Sequence, residues 1–188
     1  MEGKHLFTAR ERNRHAVIAV YEWFGVIVAT MTILLLLLTF VVRVVGVKGD
    51  SMLPTLHNGD RLLLSCLSDE YTQGDIVVID RYTEDPLVKR IIATEGDVVS
   101  IVDGEVYING QQLTESYTQG TTINKDFDEP ATVPKGCVFV MGDNRSDSLD
   151  SRVDEIGMIS EKDIVGKVLI TVWPPSSIDF EFLKGNQE

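Results

Sequence analysis

Trp23 to Val42 is a run of twenty residues without an ionisable side chain, and it includes Ile33-Leu34-Leu35-Leu36-Leu37-Leu38. At about 1.5 Å per residue, a helix of this length spans roughly 30 Å, the hydrocarbon thickness of a bilayer. Tyr21, Trp23 and Phe24 stand at its near end, where amphipathic rings favour the membrane–water boundary. A core helix this long and uniform does not suit so small a domain. A cleavable signal peptide would share the basic start. The apolar run exceeds a usual h-region, however, and Thr39-Phe40-Val41-Val42-Arg43 offers no small-x-small cleavage site. The run therefore reads as a permanent signal-anchor. Residues 1–22 are then a short basic tail, 23–42 the transmembrane helix, and 43–188 a domain beyond the membrane. Lys4, Arg10, Arg12 and Arg14 precede the anchor while Arg43 and Lys48 follow it, which favours a cytoplasmic N-terminus.

Past the anchor the hydrophobic period changes. Val44-Val45-Gly46-Val47, Arg61–Leu64, Asp75–Asp80 and Leu87–Ile92 are short and rich in β-branched or aliphatic residues, with Gly or Asn-Gly turns between several of them. Val98–Val102 and Glu105–Ile108 flank Asp103-Gly104, a two-residue hairpin signal. Cys137–Met141 and Ile164–Trp173 supply further strands, the last stopped by Pro174-Pro175. Residues 111–133, rich in Thr, Gln, Asp and Asn, read as a long surface excursion. This spacing predicts a mostly β domain of antiparallel strands rather than a βαβ one.

Charge narrows the partners. Four of the 17 basic and three of the 29 acidic residues precede Arg43, leaving 13 against 26 in residues 43–188. Such a domain repels phosphate backbones, so nucleic acid is not an expected partner. Cys66 and Cys137 lack C-x-x-C spacing and read as small core residues, and no metal or other cofactor is expected.

Three stretches could carry chemistry. Ser51, in Val47-Lys48-Gly49-Asp50-Ser51-Met52-Leu53-Pro54-Thr55-Leu56, is placed by Gly49 and Pro54 in a tight turn after a strand. A turn can present a hydroxyl together with backbone N–H donors for an oxyanion, although most turn serines only bond their own backbone. A serine nucleophile needs a base. His57, beside Asn58-Gly59, reads as an ordinary surface turn residue. Lys89 shares a strand face with Leu87 and Ile91. Desolvation there would lower its pKa and free it to take a proton near neutral pH, whereas a solvated strand lysine would do nothing. Arg90 points the other way. Gly142 to Arg152 is dense in short polar side chains and Asp/Arg pairs, which can brace one another or simply satisfy their own turns.

Ser51-Met52-x-Pro54-Thr55, Gly59-Asp60-Arg61, Lys89-Arg90-Ile91-Ile92 and Gly142-Asp143-Asn144-Arg145-x-x-Ser148-x-Asp150-Ser151-Arg152 follow an anchor in this order. Together they resemble the boxes of bacterial type I signal peptidase in its single-anchor Gram-positive form. The resemblance covers most of the chain. It implies a signal-peptidase/LexA-like antiparallel β fold and a Ser/Lys endopeptidase acting on secreted preproteins at the outer membrane face. Ser51 would be the nucleophile and Lys89 the base. Ser148 would hydrogen-bond the lysine amine, Asp150 with Arg152 would support that loop, and Arg90 with Asp143 would form a structural pair. Met52 and Pro54 match the nucleophile box. The family's cleavage sites carry small residues one and three places before the scissile bond, as in Ala-x-Ala.

Two positions depart from the pattern. Some relatives carry a serine hydroxyl donor where this chain has Gly49, so an oxyanion hole of backbone N–H groups, including that of Ser51, is expected. Ala93-Thr94-Glu95-Gly96-Asp97 replaces the usual Gly-Leu-Pro-Gly-Asp/Glu. Two other readings compete: a self-cleaving Ser/Lys domain of the LexA type, and a tethered, non-catalytic β module binding through 111–133.

Overall fold

The computed structural model describes residues 9–67, 70–80, 85–127 and 130–174. The chain divides between Val41 and Val42 into two units. The described residues of the first form one helix, α1 (Ala9–Val41), so residues 9–22 of the basic tail are helical. Within it, Val17–Leu36 is long and apolar enough to cross a membrane, and none of that window is buried. The threonines of α1 cost little there, because the hydroxyls of Thr30, Thr32 and Thr39 each donate to the carbonyl four residues back.

Among its described residues the second unit has eleven strands: β1 (Val42–Gly46), β2 (Arg61–Ser65), β3 (Ile76–Ile79), β4 (Leu87–Ala93), β5 (Val98–Val102), β6 (Glu105–Ile108), β7 (Gln111–Gln112), β8 (Ala131–Thr132), β9 (Cys137–Met141), β10 (Ile159–Ser160) and β11 (Ile164–Trp173). They form a seven-stranded sheet, ordered β1-β2-β11-β3-β4-β9-β10, and a four-stranded sheet, ordered β7-β6-β5-β8. Every pairing between these strands is antiparallel. The fold is thus the mostly β one that the strand spacing predicts.

Local sequence explains the strand starts. Asp103 (φ 51°) and Gly104 (φ 85°) both adopt the left-handed conformation that closes a two-residue hairpin between β5 and β6. Three x-x-Gly-Asp turns lead into β2, β3 and β5. In each, the Asp side chain accepts the N–H of the residue three before it: Asp60 from His57 (2.8 Å), Asp75 from Thr72 (2.9 Å) and Asp97 from Thr94 (2.9 Å). The intervening Gly59, Gly74 and Gly96 have φ of 94°, 93° and 86°, which other residues rarely adopt. The unusual 93–97 segment is therefore one copy of a turn used three times.

Three apolar clusters fill the domain. Val47, Met52, Leu56, Leu62, Leu64, Ile76, Val78, Val88 and Val168 make one, which anchors the Ser51 turn. Val77, Ile79, Ile91, Val138, Val140, Ile156, Ile159 and Ile164 make a second. Ile92, Ala93, Val99, Ile101, Val106, Val133, Phe139 and Met141 join the two sheets in a third. Residues 111–133 are not a surface excursion throughout. Tyr117, Thr122 and Val133 are buried, and the Phe127 ring packs on Phe139 with centroids 4.9 Å apart. The few large side chains in this polar stretch pin it to the domain, because burying them outweighs the solvation of their polar neighbours. Cys66 and Cys137 are free and half-buried.

Candidate active site

Ser51 lies in the turn that follows β1. Two backbone hydrogen bonds, Val47 N–H to Asp60 C=O (2.8 Å) and Gly59 N–H to Val47 C=O (3.0 Å), close the base of this segment. Gly49, left-handed at φ 82°, donates its N–H to Asn58 Oδ1 at 3.1 Å. Met52 and Leu56, each 1% exposed, drive the turn into the core, which leaves Pro54 exposed and the half-buried Ser51 at the rim.

Lys89 stands on the interior strand β4, opposite Val77 of β3. It is 2% exposed, and its Nζ lies 2.6 Å from Ser51 Oγ. Burial is the main force on this amine and lowers its pKa from 10.5 to about 8, with Asp150 acting in the opposite sense. His57 is exposed, and its backbone N–H serves only the Asp60 turn.

The loop after β9 walls the site. Asn144 donates its N–H to the Ser51 carbonyl (3.0 Å) and its Nδ2 to the Asp50 carbonyl (3.1 Å). Gly142 is packed so closely that a Cβ there would stand 2.2 Å from Ser148 Oγ and 2.5 Å from the Ser51 carbonyl oxygen. Arg90 grips Asp143 with two hydrogen bonds, Nε to Oδ1 at 2.9 Å and Nη2 to Oδ2 at 2.7 Å, both side chains being fully buried. Arg90 Nη1 also reaches the Gly74 carbonyl (2.9 Å), and Thr55 Oγ1 donates to Asp143. Asp150 takes Arg152 Nε and Nη2 at 2.8 Å each and the Gly142 N–H at 3.1 Å. Burial alone would raise the Asp150 carboxyl, but the Arg152 guanidinium holds it below the usual range.

The Ser148 hydroxyl is buried beside Asp150, whose carboxyl it helps to hold below the usual range. The bond to the lysine amine expected from the family is not formed here; the amine is given to Ser51 instead.

The wall is completed by Arg145, which stands in the Gly142–Arg152 box, and by residues of 115–119 that the sequence reading passed over. Arg145 pairs with Glu115 and donates its Nε to the Gly142 carbonyl at 3.1 Å. The Tyr117 ring lies 4.0 Å from the Arg90 guanidinium carbon, a cation–π contact, and its hydroxyl donates to Glu115 at 2.9 Å. Gln119 and Asn144 form an isolated bridge. The one signal for these contacts was Tyr117 itself, an aromatic side chain amid polar ones.

Fold and site together define a class of antiparallel β protein in which a desolvated amine is held against a serine hydroxyl. Residues 20–173 match the family described as signal peptidase, peptidase S26. The chain belongs to that family, in its bacterial type I branch. It is 35% identical over 181 residues to a signal peptidase I of Bacillus licheniformis, covering 89% of this chain and 96% of that one. With signal peptidase I T of Bacillus subtilis (strain 168) it shares 39% identity over 166 residues, 81% of this chain and 85% of the other. A crystal structure of a signal peptidase I from Enterococcus faecalis V583 aligns with a TM-score of 0.44 at 28% identity, over 53% of this chain and 97% of that one.

Proposed function

We propose that this chain is a membrane-bound serine endopeptidase that removes signal peptides from secreted preproteins after small-x-small sites, with Ser51 as nucleophile and Lys89 as general base. The observation that carries the reading is the 2.6 Å approach of a 2%-exposed lysine amine to a serine hydroxyl. An amine with a pKa near 8 is neutral in a useful fraction of molecules near neutral pH.

An extended preprotein segment adds beside a strand edge, its register set by backbone hydrogen bonds. Neutral Lys89 takes the Ser51 proton as Oγ attacks the scissile carbonyl. Backbone donors hold the oxyanion, the Ser51 N–H among them; side-chain help from position 49 is absent because Gly49 stands there. Protonated Lys89 then gives its proton to the departing amine. Lys89 next deprotonates a water molecule, which cleaves the Ser51 ester and restores the hydroxyl. The helix holds enzyme and substrate at one membrane surface with its N-terminus in the cytoplasm, as the basic residues before it favour.

Ser51→Ala and Lys89→Ala should each abolish processing of a preprotein with an Ala-x-Ala site by the purified full-length enzyme, while leaving the domain folded by circular dichroism. Near wild-type processing by Lys89→Ala would refute the assignment.

A further inference from the structure

We propose that Lys125 is a positioning residue for the dyad: its ammonium ties down the Ser148 loop and competes with Lys89 for Asp150. This rests on the Ser51/Lys89 reading. Lys125 belongs to the 113–130 segment, which the family boxes do not include. Its backbone is left-handed (φ 56°), uncommon for a side chain of this size, and its Nζ donates to the Ser148 carbonyl. Neighbouring bonds stitch the same segment to the loop: Asp126 N–H to the Arg152 carbonyl and Arg152 Nη1 to the Ile123 carbonyl, both 3.1 Å. The amine is thus held over the loop rather than left to solvent.

The charges around the two lysines show what this placement does. Lys89 faces Asp150 and Asp143, which favour its ammonium form, and Lys125 and Arg152, which oppose it. Lys125 faces Asp150, Asp147 and Asp126 on the favourable side and Arg152 on the other. Asp143 is occupied by Arg90, and Arg145 by Glu115. Asp150, itself held by Arg152, acts on both amines, and a cation already near it makes the third proton on the Lys89 amine harder to keep. The base stays neutral to lower pH than it would alone.

The test is kcat/KM against pH for full-length enzyme in phospholipid vesicles, with a signal-peptide substrate, in Lys125→Arg, Lys125→Gln and Lys125→Glu. The acidic limb should stay in place for Arg, move up by about half a unit for Gln, the scale for a part-exposed like charge, and move further for Glu. For Gln this is roughly a threefold loss below the limb, with the alkaline plateau retained. A limb that stays in place across all three variants overturns the proposal, even if their rates fall, because loss of a loop tie lowers rate without following charge. A Gln variant that fails to fold also overturns it, since the residue would then be structural. Failure of the dyad itself would appear separately, as activity surviving in Ser51→Ala or Lys89→Ala.

Discussion

Gly142→Ala isolates the wall behind Ser51. The added methyl would stand 2.2 Å from Ser148 Oγ, 2.6 Å from Ser148 Cβ and 2.5 Å from the Ser51 carbonyl oxygen. The Ser148 hydroxyl can turn away, but Ser148 Cβ is fixed to its backbone, and the Ser51 carbonyl is itself backbone and accepts the Asn144 N–H at 3.0 Å. Relief to about 3 Å requires the Ser51 carbonyl to retreat by roughly half an ångström. That shift is transmitted to Oγ, which stands 2.6 Å from the amine. Displacements near 1 Å cost about 10²-fold in rate, so a fall of about ten- to a hundredfold in kcat is expected, with overpacking costing about 1–3 kcal/mol of stability. Gly166→Ala is the control. On β11, a Cβ there would lie 2.6 Å from the Ser65 carbonyl oxygen and 3.4 Å from Leu64 Cβ, none of them site atoms. Preprotein cleavage kinetics and urea unfolding should show both variants destabilised but only Gly142→Ala crippled in kcat. Equal activity in the two would refute the idea that Gly142 sets the position of Ser51.

Three further outcomes follow from the same contacts. Lys89 has its folded pKa lowered to about 8 from 10.5, so the unfolded chain binds more protons between these values and stability should rise with pH across that window, by up to roughly 3 kcal/mol; Lys89→Met should lose this rise in urea titrations run from pH 7 to 11. Asp143→Asn leaves the Arg90 guanidinium buried without its counter-charge and should cost about 3–5 kcal/mol by denaturant unfolding. Asp97→Ala removes acceptors for Thr94 N–H (2.9 Å), Thr94 Oγ1 (3.1 Å) and Asn109 Nδ2 (2.8 Å) and should cost about 1–2 kcal/mol without altering cleavage kinetics.

Much of this architecture is legible in residue order because its causes are local. β-branched runs between Gly turns mark the strands, and the Asp103-Gly104 hairpin carries its own φ preference. Ser51 and Lys89 are separated by 37 intervening residues, and only the family boxes brought them together on the page. What stayed illegible is non-local. Glu115, Tyr117 and Lys125 reach the 142–152 loop through tertiary packing, in a stretch whose composition argues for solvent. Ser148 differs in detail: the role carried over from the family predicts a bond to the lysine amine, whereas here the amine is bonded to Ser51 and Ser148 lies beside Asp150. The x-x-Gly-Asp turn went unread as a repeat because its copies differ at two of four positions, while the side-chain-to-backbone bond that defines it is the same each time.

The buried arginines have an effect outside the molecule. Among the described residues of 43–188, Lys89, Arg90, Arg145 and Arg152 are the buried members of 11 basic residues, and Asp60, Asp75, Asp143 and Asp150 those of 19 acidic ones. Among the described residues of this unit, seven cationic side chains then remain outside against 15 anionic ones, a more lopsided exterior than composition suggests. Its field draws in cationic chain segments and turns polyanions away, and salt confines that influence to within about 8 Å of the surface at physiological ionic strength.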